Sequence, residues 1–317
     1  MILAPSRETD LGFEPRDLAP GAGVFRMRGG ASHRTSRFDV HYVRPVTWSP
    51  GAPVLIVIPG SGRNSAEYRN AWLAPARARG ILVAALGYPE TEYDFAAYQM
   101  GSLVRDLTFR NAETSRPNAR TTVIRLRDED ISFSLNPDRQ TWLFNDFDRV
   151  FDHLRAATGA SSESYDIFGH SAGAQILHRM TLFHPESRAR RIVAANAGFY
   201  TLPDRRRGLP TGLAGTGLTD AALRGALGRD LTLLLGADDN DDEAGGTILH
   251  TPAVDAQGLG RLDRGLTFFR TARAKAAELG APFTWKLGTV PGVGHDFAAM
   301  SEAAAACLFG DGSDAGD

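Results

Sequence analysis

The sequence predicts an α/β fold, with a mainly parallel sheet of about eight strands covered by helices on both faces. Three observations carry this. Short aliphatic runs such as VLIVIPG from residue 54 and LTLLLGADD from 231 suit strands buried on both sides. Between such runs lie stretches whose apolar residues recur at helical spacing. Strands alternating with helices leave the carboxyl ends of the strands for a ligand, so functional residues are expected in loops just after strands.

In chain order, GVFRMRG from residue 23 and SRFDVHYVRP from 36 alternate as two half-exposed strands, and the unbroken VLIVIPG is central. Asn64 or Ser65 caps a helix predicted to run to about residue 79, closed by Gly80 and followed by the strand ILVAAL. Residues 89–140 form an insertion after this fourth strand, longer than the links usual in such sheets. Within it, LRDEDISF reads as an extra strand with solvated charges. Leu143, Phe147, Val150, Phe151 and Leu154 share one face of a helix leading into the strand YDIFG. AGAQILHRMTLF is then a helix, RIVAANAG and LTLLLGADD are strands, and GLGRLDRGLTFFRTARAKAAELG is a long amphipathic helix. PFTWKLGTV is the last strand, VPGVGHDF a loop and AAMSEAAAACLFG a closing helix. The expected organisation is an N-terminal extension over 1–20, a single domain over 21–310 and a flexible tail over 311–317.

With 43% hydrophobic residues among 317, the chain can bury a large core. Its net charge of -2 comes from 35 basic and 37 acidic residues dispersed along the chain, which argues against nucleic-acid or anionic-membrane partners. The amino terminus MILAPSRETDLGFEPRD carries charges and prolines where a secretory leader needs an apolar stretch, so a cytoplasmic location is expected. Cys307 is the only cysteine, which excludes an intrachain disulfide. Nothing in the sequence specifies an oligomeric state.

Gly169-His170-Ser171-Ala172-Gly173 joins a strand to a helix through the pattern G-x-S-x-G. A turn this tight has no room for bulky flanking side chains, and it lifts the serine hydroxyl above the sheet with the helix N-terminus behind it. A serine hydroxyl needs a base, and the base needs an acid to hold its tautomer. His295 in PGVGHDF, after the last strand, is the expected base, with His250 as its rival. The acid is expected in the carboxylate cluster ending LTLLLGADDNDDE: Asp239 stands three positions beyond Gly236, Asp238 is the alternative, and Asp204 in FYTLPD lies one strand earlier. Asp241, Asp242 and Glu243 lack calcium-loop spacing and read as a solvated turn. The backbone N–H of Ala172, with those of Ser61 and Gly62 in PGSGRN, can face a developing oxyanion.

With PGSG, GHSAG, GADD and GVGHDF in the order oxyanion loop, nucleophile, acid and base, the chain resembles the α/β-hydrolase fold serine hydrolases over about residues 20–310. GHSAG also resembles the elbow of esterases and arylformamidases of this fold, whereas PGSG departs from the HGGG signature of hormone-sensitive-lipase-like esterases. The resemblance implies hydrolysis of small or medium acyl or aryl esters, or of a polyester such as a polyhydroxyalkanoate, through an acyl-enzyme and without a cofactor or metal. An imidazole base then sets an activity limb near pH ~7. An amidase or arylformamidase uses the same machinery, and a non-catalytic ligand receptor can share the fold. Tyr88, Tyr93, Phe95, Tyr98, Phe199 and Tyr200 are the candidates for lining a substrate pocket, against the alternative that they pack the insertion onto the body.

Overall fold

Val54–Ile58, the first unbroken apolar run, is buried at every position and forms the middle of the main sheet in the computed structural model, which describes residues 18–240 and 245–310. The residues expected as an N-terminal extension (1–17 of it), as the acidic turn Asp241–Glu243 and as the tail lie outside the described residues. Among the described residues, eight strands make the main sheet: β1 Gly21–Arg28, β2 Arg37–Arg44, β3 Val54–Ile58, β4 Leu82–Gly87, β5 Tyr165–His170, β6 Ala189–Ala195, β7 Asp230–Gly236 and β8 Lys286–Val290. Their order is β1-β2-β4-β3-β5-β6-β7-β8. The first two junctions are antiparallel and the rest parallel.

Helices α1 Ser65–Ala71, α2 Leu73–Arg79, α3 Asn145–Thr158, α4 Ala172–Phe183, α5 Asp220–Leu227, α6 Arg261–Leu279 and α7 Phe297–Phe309 cover the two faces. On one face Phe147, Val150, Phe151 and Leu154 of α3 pack with Ile176 and Met180 of α4 and Phe268 of α6. On the other, Trp72 and Ala76 meet Met300, Ala304 and Leu308 of α7. The helix expected from residue 65 to 79 is broken at Trp72. Pro75 explains the break, because its ring would clash with the carbonyl of Ala71 four residues back. Gly80 closes α2 in the left-handed conformation, φ 64°.

The insertion holds a short helix, Phe95–Tyr98, and two small sheets. Val104–Phe109 pairs antiparallel with Ile131–Leu135, so the segment LRDEDISF is strand only in its second half, after a 3₁₀ turn at Asp128–Asp130. Glu113–Asn118 pairs with Thr121–Arg125, which takes a parallel partner, Gly246–His250, from the loop after β7. The insertion is thereby sewn to the loop that carries the expected acid. Among the described residues, no helix is long and apolar enough to cross a membrane.

Candidate active site

The turn from β5 into α4 forces Ser171 to φ 58° and ψ -116°, a conformation that costs a non-glycine residue about 1–3 kcal/mol. Its glycines are there for clearance. A Cβ on Gly169 would lie 2.5 Å from the carbonyl oxygen of Gly173, and a Cβ on Gly173 would collide with the carbonyl oxygen of Ile58 in β3. The Ser171 N–H donates to Ala195 O at 2.9 Å, which pins the turn to the end of β6.

From this bend the Ser171 Oγ lies 3.0 Å from His295 Nε2, and His295 Nδ1 lies 2.7 Å from Asp239 Oδ2. A carboxylate only accepts, so Nδ1 carries the proton and Nε2 is left to accept from the serine hydroxyl. Two further contacts register the loops that meet here. Asp238 N–H donates to Val293 O at 2.9 Å, and the Asn196 side chain accepts from Gly236 N–H at 2.7 Å while donating to Gly294 O at 3.0 Å.

Asp239 is fully buried, and its other oxygen accepts from Arg261 Nη1 at 2.8 Å. Arg261, the first residue of α6, is itself buried and donates through Nη2 to the carbonyl oxygens of Gly245 at 2.7 Å and Thr247 at 3.2 Å. Burial alone would raise the Asp239 carboxyl, but His295 and the Arg261 guanidinium outweigh it and hold the group at about 2. For His295, burial and the Arg261 charge lower the imidazole, and Asp239 only partly offsets them. Its pKa therefore falls below the ordinary 6.5, on the acid side of the limb the sequence led us to expect.

Gly60 packs against Ser171, where a Cβ would lie 3.3 Å from Ser171 Cβ. Its N–H is already committed to Tyr68 Oη at 3.0 Å, and the same hydroxyl lies 3.0 Å from Nδ1 of His170. Burial and the neighbouring His295 push His170 well below its usual range, so as a neutral ring it accepts from Tyr68. The next amides are those of Ser61, half-buried, and Gly62, exposed. Ala172 opens α4, where first-turn N–H groups have no partner within the helix.

The other candidates lie elsewhere. Asp238 is exposed, Asp204 pairs with Arg206, and His250 pairs through Nδ1 with Asp255 at 2.7 Å. Tyr88, Tyr93, Tyr98 and Tyr200 are 0% exposed and Phe199 is 2%. Tyr88 stacks on Phe38, Tyr93 on His33 and Tyr200 on Phe268, while Phe199 packs with Leu126, Leu249 and Val254. In this conformation they have no surface to offer a substrate, and their rings pack the insertion and the β6 loop onto the body.

Sequence reasoning missed Arg261, Gly246, Asn196 and Tyr68. For Arg261 a signal existed: a cation in the first turn of a helix opposes the helix dipole and needs a compensating anion. Gly246, at φ 70°, passes so close over the imidazole that a Cβ would lie 2.9 Å from His295 Nε2.

Among solved structures, the chain is similar to poly(aspartic acid) hydrolase-1 from Sphingomonas sp. KT-1, with 33% identity over 92% of this chain and 100% of that one, at a TM-score of 0.78. It is also similar to a poly(3-hydroxybutyrate) depolymerase from Bordetella parapertussis, 30% identical over 94% and 92% of the two chains, at a TM-score of 0.77. An IroE-like serine hydrolase from Shewanella oneidensis, 11% identical over 88% and 76% of the chains at a TM-score of 0.51, shares the fold alone. No family model and no curated protein matches the chain.

Proposed function

The chain belongs to the α/β-hydrolase fold serine hydrolases and is a carboxylic ester hydrolase, and on that premise we propose that Ser171, His295 and Asp239 are its catalytic triad. The observation that carries this is the unbroken chain Ser171 Oγ, His295 Nε2, His295 Nδ1, Asp239 Oδ2, at 3.0 and 2.7 Å. Ser171 Oγ attacks the ester carbonyl carbon as its proton passes to His295 Nε2. The carbonyl oxygen, now negative, is held by the N–H of Ala172 and that of Ser61 or Gly62. Collapse expels the alcohol, which takes the proton from His295 and leaves an acyl-enzyme on Ser171. Water then attacks, giving its proton to His295, and the acid departs as Ser171 recovers its hydrogen. Asp239 stays ionised throughout and stabilises the imidazolium.

The substrates are small to medium acyl or aryl esters, extending to polyesters. Support for the polymer comes from the depolymerase of Bordetella parapertussis, whose name specifies a polyester. A second reading, amide hydrolysis by the same residues, draws on the Sphingomonas relative, whose name specifies a poly(amino acid). It differs in that His295 must protonate a leaving nitrogen.

The test is labelling by a fluorophosphonate, followed by turnover of nitrophenyl esters of rising chain length beside the matching anilides. Wild type should label and Ser171→Ala should not, with ester turnover falling by roughly 10³-fold or more. An unlabelled wild type defeats the proposal. Faster turnover of anilides than of esters selects the amidase reading.

A further inference from the structure

Two arginines stand on the elements that flank Ser171, Arg63 just after the PGSG loop and Arg179 on α4. Neither Arg63 nor Arg179 forms an ion pair with any Asp or Glu among the described residues.

Arg63 ends the loop that carries Ser61 and Gly62. Its backbone is left-handed, φ 54°, and its N–H closes a turn onto Gly60 O at 3.1 Å. The guanidinium lies 3.6 Å over the Tyr98 ring, and Nη1 donates to the carbonyl oxygens of Tyr88 at 3.0 Å and Tyr93 at 3.1 Å. Nη2 makes no hydrogen bond and is not among the buried atoms, so a rigidly held cation keeps one edge open. Burial lowers its pKa, and Tyr98, Glu90 and Asp94, which do not pair with it, only partly offset this.

Arg179 lies two turns beyond Ser171 on the same face of α4. It is fully buried, donating from Nε to Thr201 Oγ1 at 3.0 Å and from Nη1 to Gln99 O at 2.7 Å and Gln175 O at 3.2 Å. Nη2 is buried with no partner, and so is Nε2 of Gln175, one turn from Ser171. Burial lowers the guanidinium only to about 9, so it stays a cation at neutral pH. A buried charge with no counter-ion is costly, and here its hydrogen bonds to Thr201, Gln99 and Gln175 hold it.

Both arginines grip one turn of the insertion, Arg63 at Tyr98 and Arg179 at the adjoining Gln99. That turn is fastened to the oxyanion loop, since Tyr98 Oη donates to Pro59 O at 2.7 Å. The leaving group must lie beside His295, which protonates it. Arg63 follows the PGSG loop and Arg179 lies on α4, so neither belongs to the loop that carries His295.

We infer that Arg63, backed by the buried Arg179, recognises a carboxylate on the acyl part of the substrate, so that the preferred substrates are half-esters of dicarboxylic acids or polymers bearing carboxylates. Arg63 supplies the open N–H edge. Arg179 holds the turn in place through its bond to Gln99 O. The inference rests on the hydrolase reading, and it deepens that reading by choosing an anionic acyl chain over a neutral one.

The experiment compares kcat/KM for 4-nitrophenyl hemisuccinate and 4-nitrophenyl butyrate in wild type, Arg63→Met and Arg63→Lys. Wild type should favour the hemisuccinate at least tenfold. Arg63→Met should cut that ratio at least tenfold and Arg63→Lys by less, because the lysine keeps the charge and loses the rigidly held N–H edge. A wild type that favours the butyrate, or a ratio that Arg63→Met leaves alone, overturns the inference. Calorimetric titration of monomethyl succinate into Ser171→Ala keeps the two readings apart. Binding at least tenfold weaker when Arg63→Met is added supports the site whatever the chemistry. No binding, beside intact fluorophosphonate labelling of wild type, overturns the carboxylate site alone, and lost labelling overturns the hydrolase reading alone.

Discussion

Arg261 Nη1 donates to Asp239 Oδ1 at 2.8 Å, on the carboxylate oxygen opposite the one that meets His295 Nδ1 at 2.7 Å. The Asp239 carboxylate is clamped from both sides, and the same guanidinium holds the carbonyls of Gly245 and Thr247, which flank the glycine lying over the imidazole. Arg261 thus sets both the position of Asp239 and the electrostatics felt by His295.

The first prediction is a pH profile. As the proposed base, His295 must be neutral, and its pKa lies below the ordinary imidazole value because of burial and the Arg261 charge. Activity should be lost as pH falls through a limb on the acid side of 6.5. Arg261→Met removes a cation that opposes the imidazolium, so the limb should move to higher pH while kcat falls. The check is kcat/KM against pH for one nitrophenyl ester. A limb that stays in place while activity drops would reduce Arg261 to a packing residue.

Gly246→Ala tests the roof over the imidazole. A methyl group there meets His295 Nε2 at 2.9 Å on a backbone of φ 70°, which alanine adopts at a cost of roughly 1 kcal/mol. We expect kcat/KM to fall at least tenfold with a drop in melting temperature of only a few degrees. Activity within twofold of wild type would show that the ring moves aside freely.

The two glycines at the ends of PGSG and GHSAG should behave differently in thermal melts. Gly173→Ala drives a methyl group into the Ile58 carbonyl oxygen, a backbone atom that cannot rotate away, so a loss at or above the usual overpacking cost of about 1–3 kcal/mol is expected. Gly62→Ala meets only the Asn64 side chain, at 3.4 Å, and should melt near wild type. Equal melting of the two variants contradicts the close approach of α4 to β3.

Tyr68→Phe removes the hydroxyl shared by Gly60 N–H and His170 Nδ1. Two buried groups lose their partner, which should cost about 1–3 kcal/mol in denaturant unfolding. Because the Gly60 amide anchors the loop proposed to hold the oxyanion, kcat should fall while KM changes little. A variant as stable as wild type would mean that another group takes over the bond.

For Tyr88 the hydroxyl is buried and unpartnered, while the ring packs on Phe38 and Tyr93. Tyr88→Phe should therefore hold or raise stability, whereas Tyr88→Ala should cost about 3–5 kcal/mol. The two melts measure this directly. A rise in KM for aryl esters in Tyr88→Phe would return the residue to the substrate pocket.

Much of the site was legible because it depends on local sterics. Ser171 could be recognised from its neighbours alone, since only glycine fits where Gly169 and Gly173 approach backbone oxygens. His295 followed from the order of strands and loops. The aromatic candidates show the opposite case, because a ring two residues past a strand reads the same whether it faces a pocket or the core.

What the sequence alone determined was the alternation of strands and helices, the strained serine turn and the loops that carry His295 and the acidic cluster, all properties of short stretches of backbone. The choice of Asp239 over Asp238 turned on which neighbouring carboxylate points inward once β7 is in register beside β8, with Asp238 exposed and Asp239 buried. Tertiary structure alone brought Arg261 under that acid and laid Gly246–His250 beside Thr121–Arg125. Contacts between segments that lie far apart in the chain follow from how whole elements pack, and no local pattern encodes that.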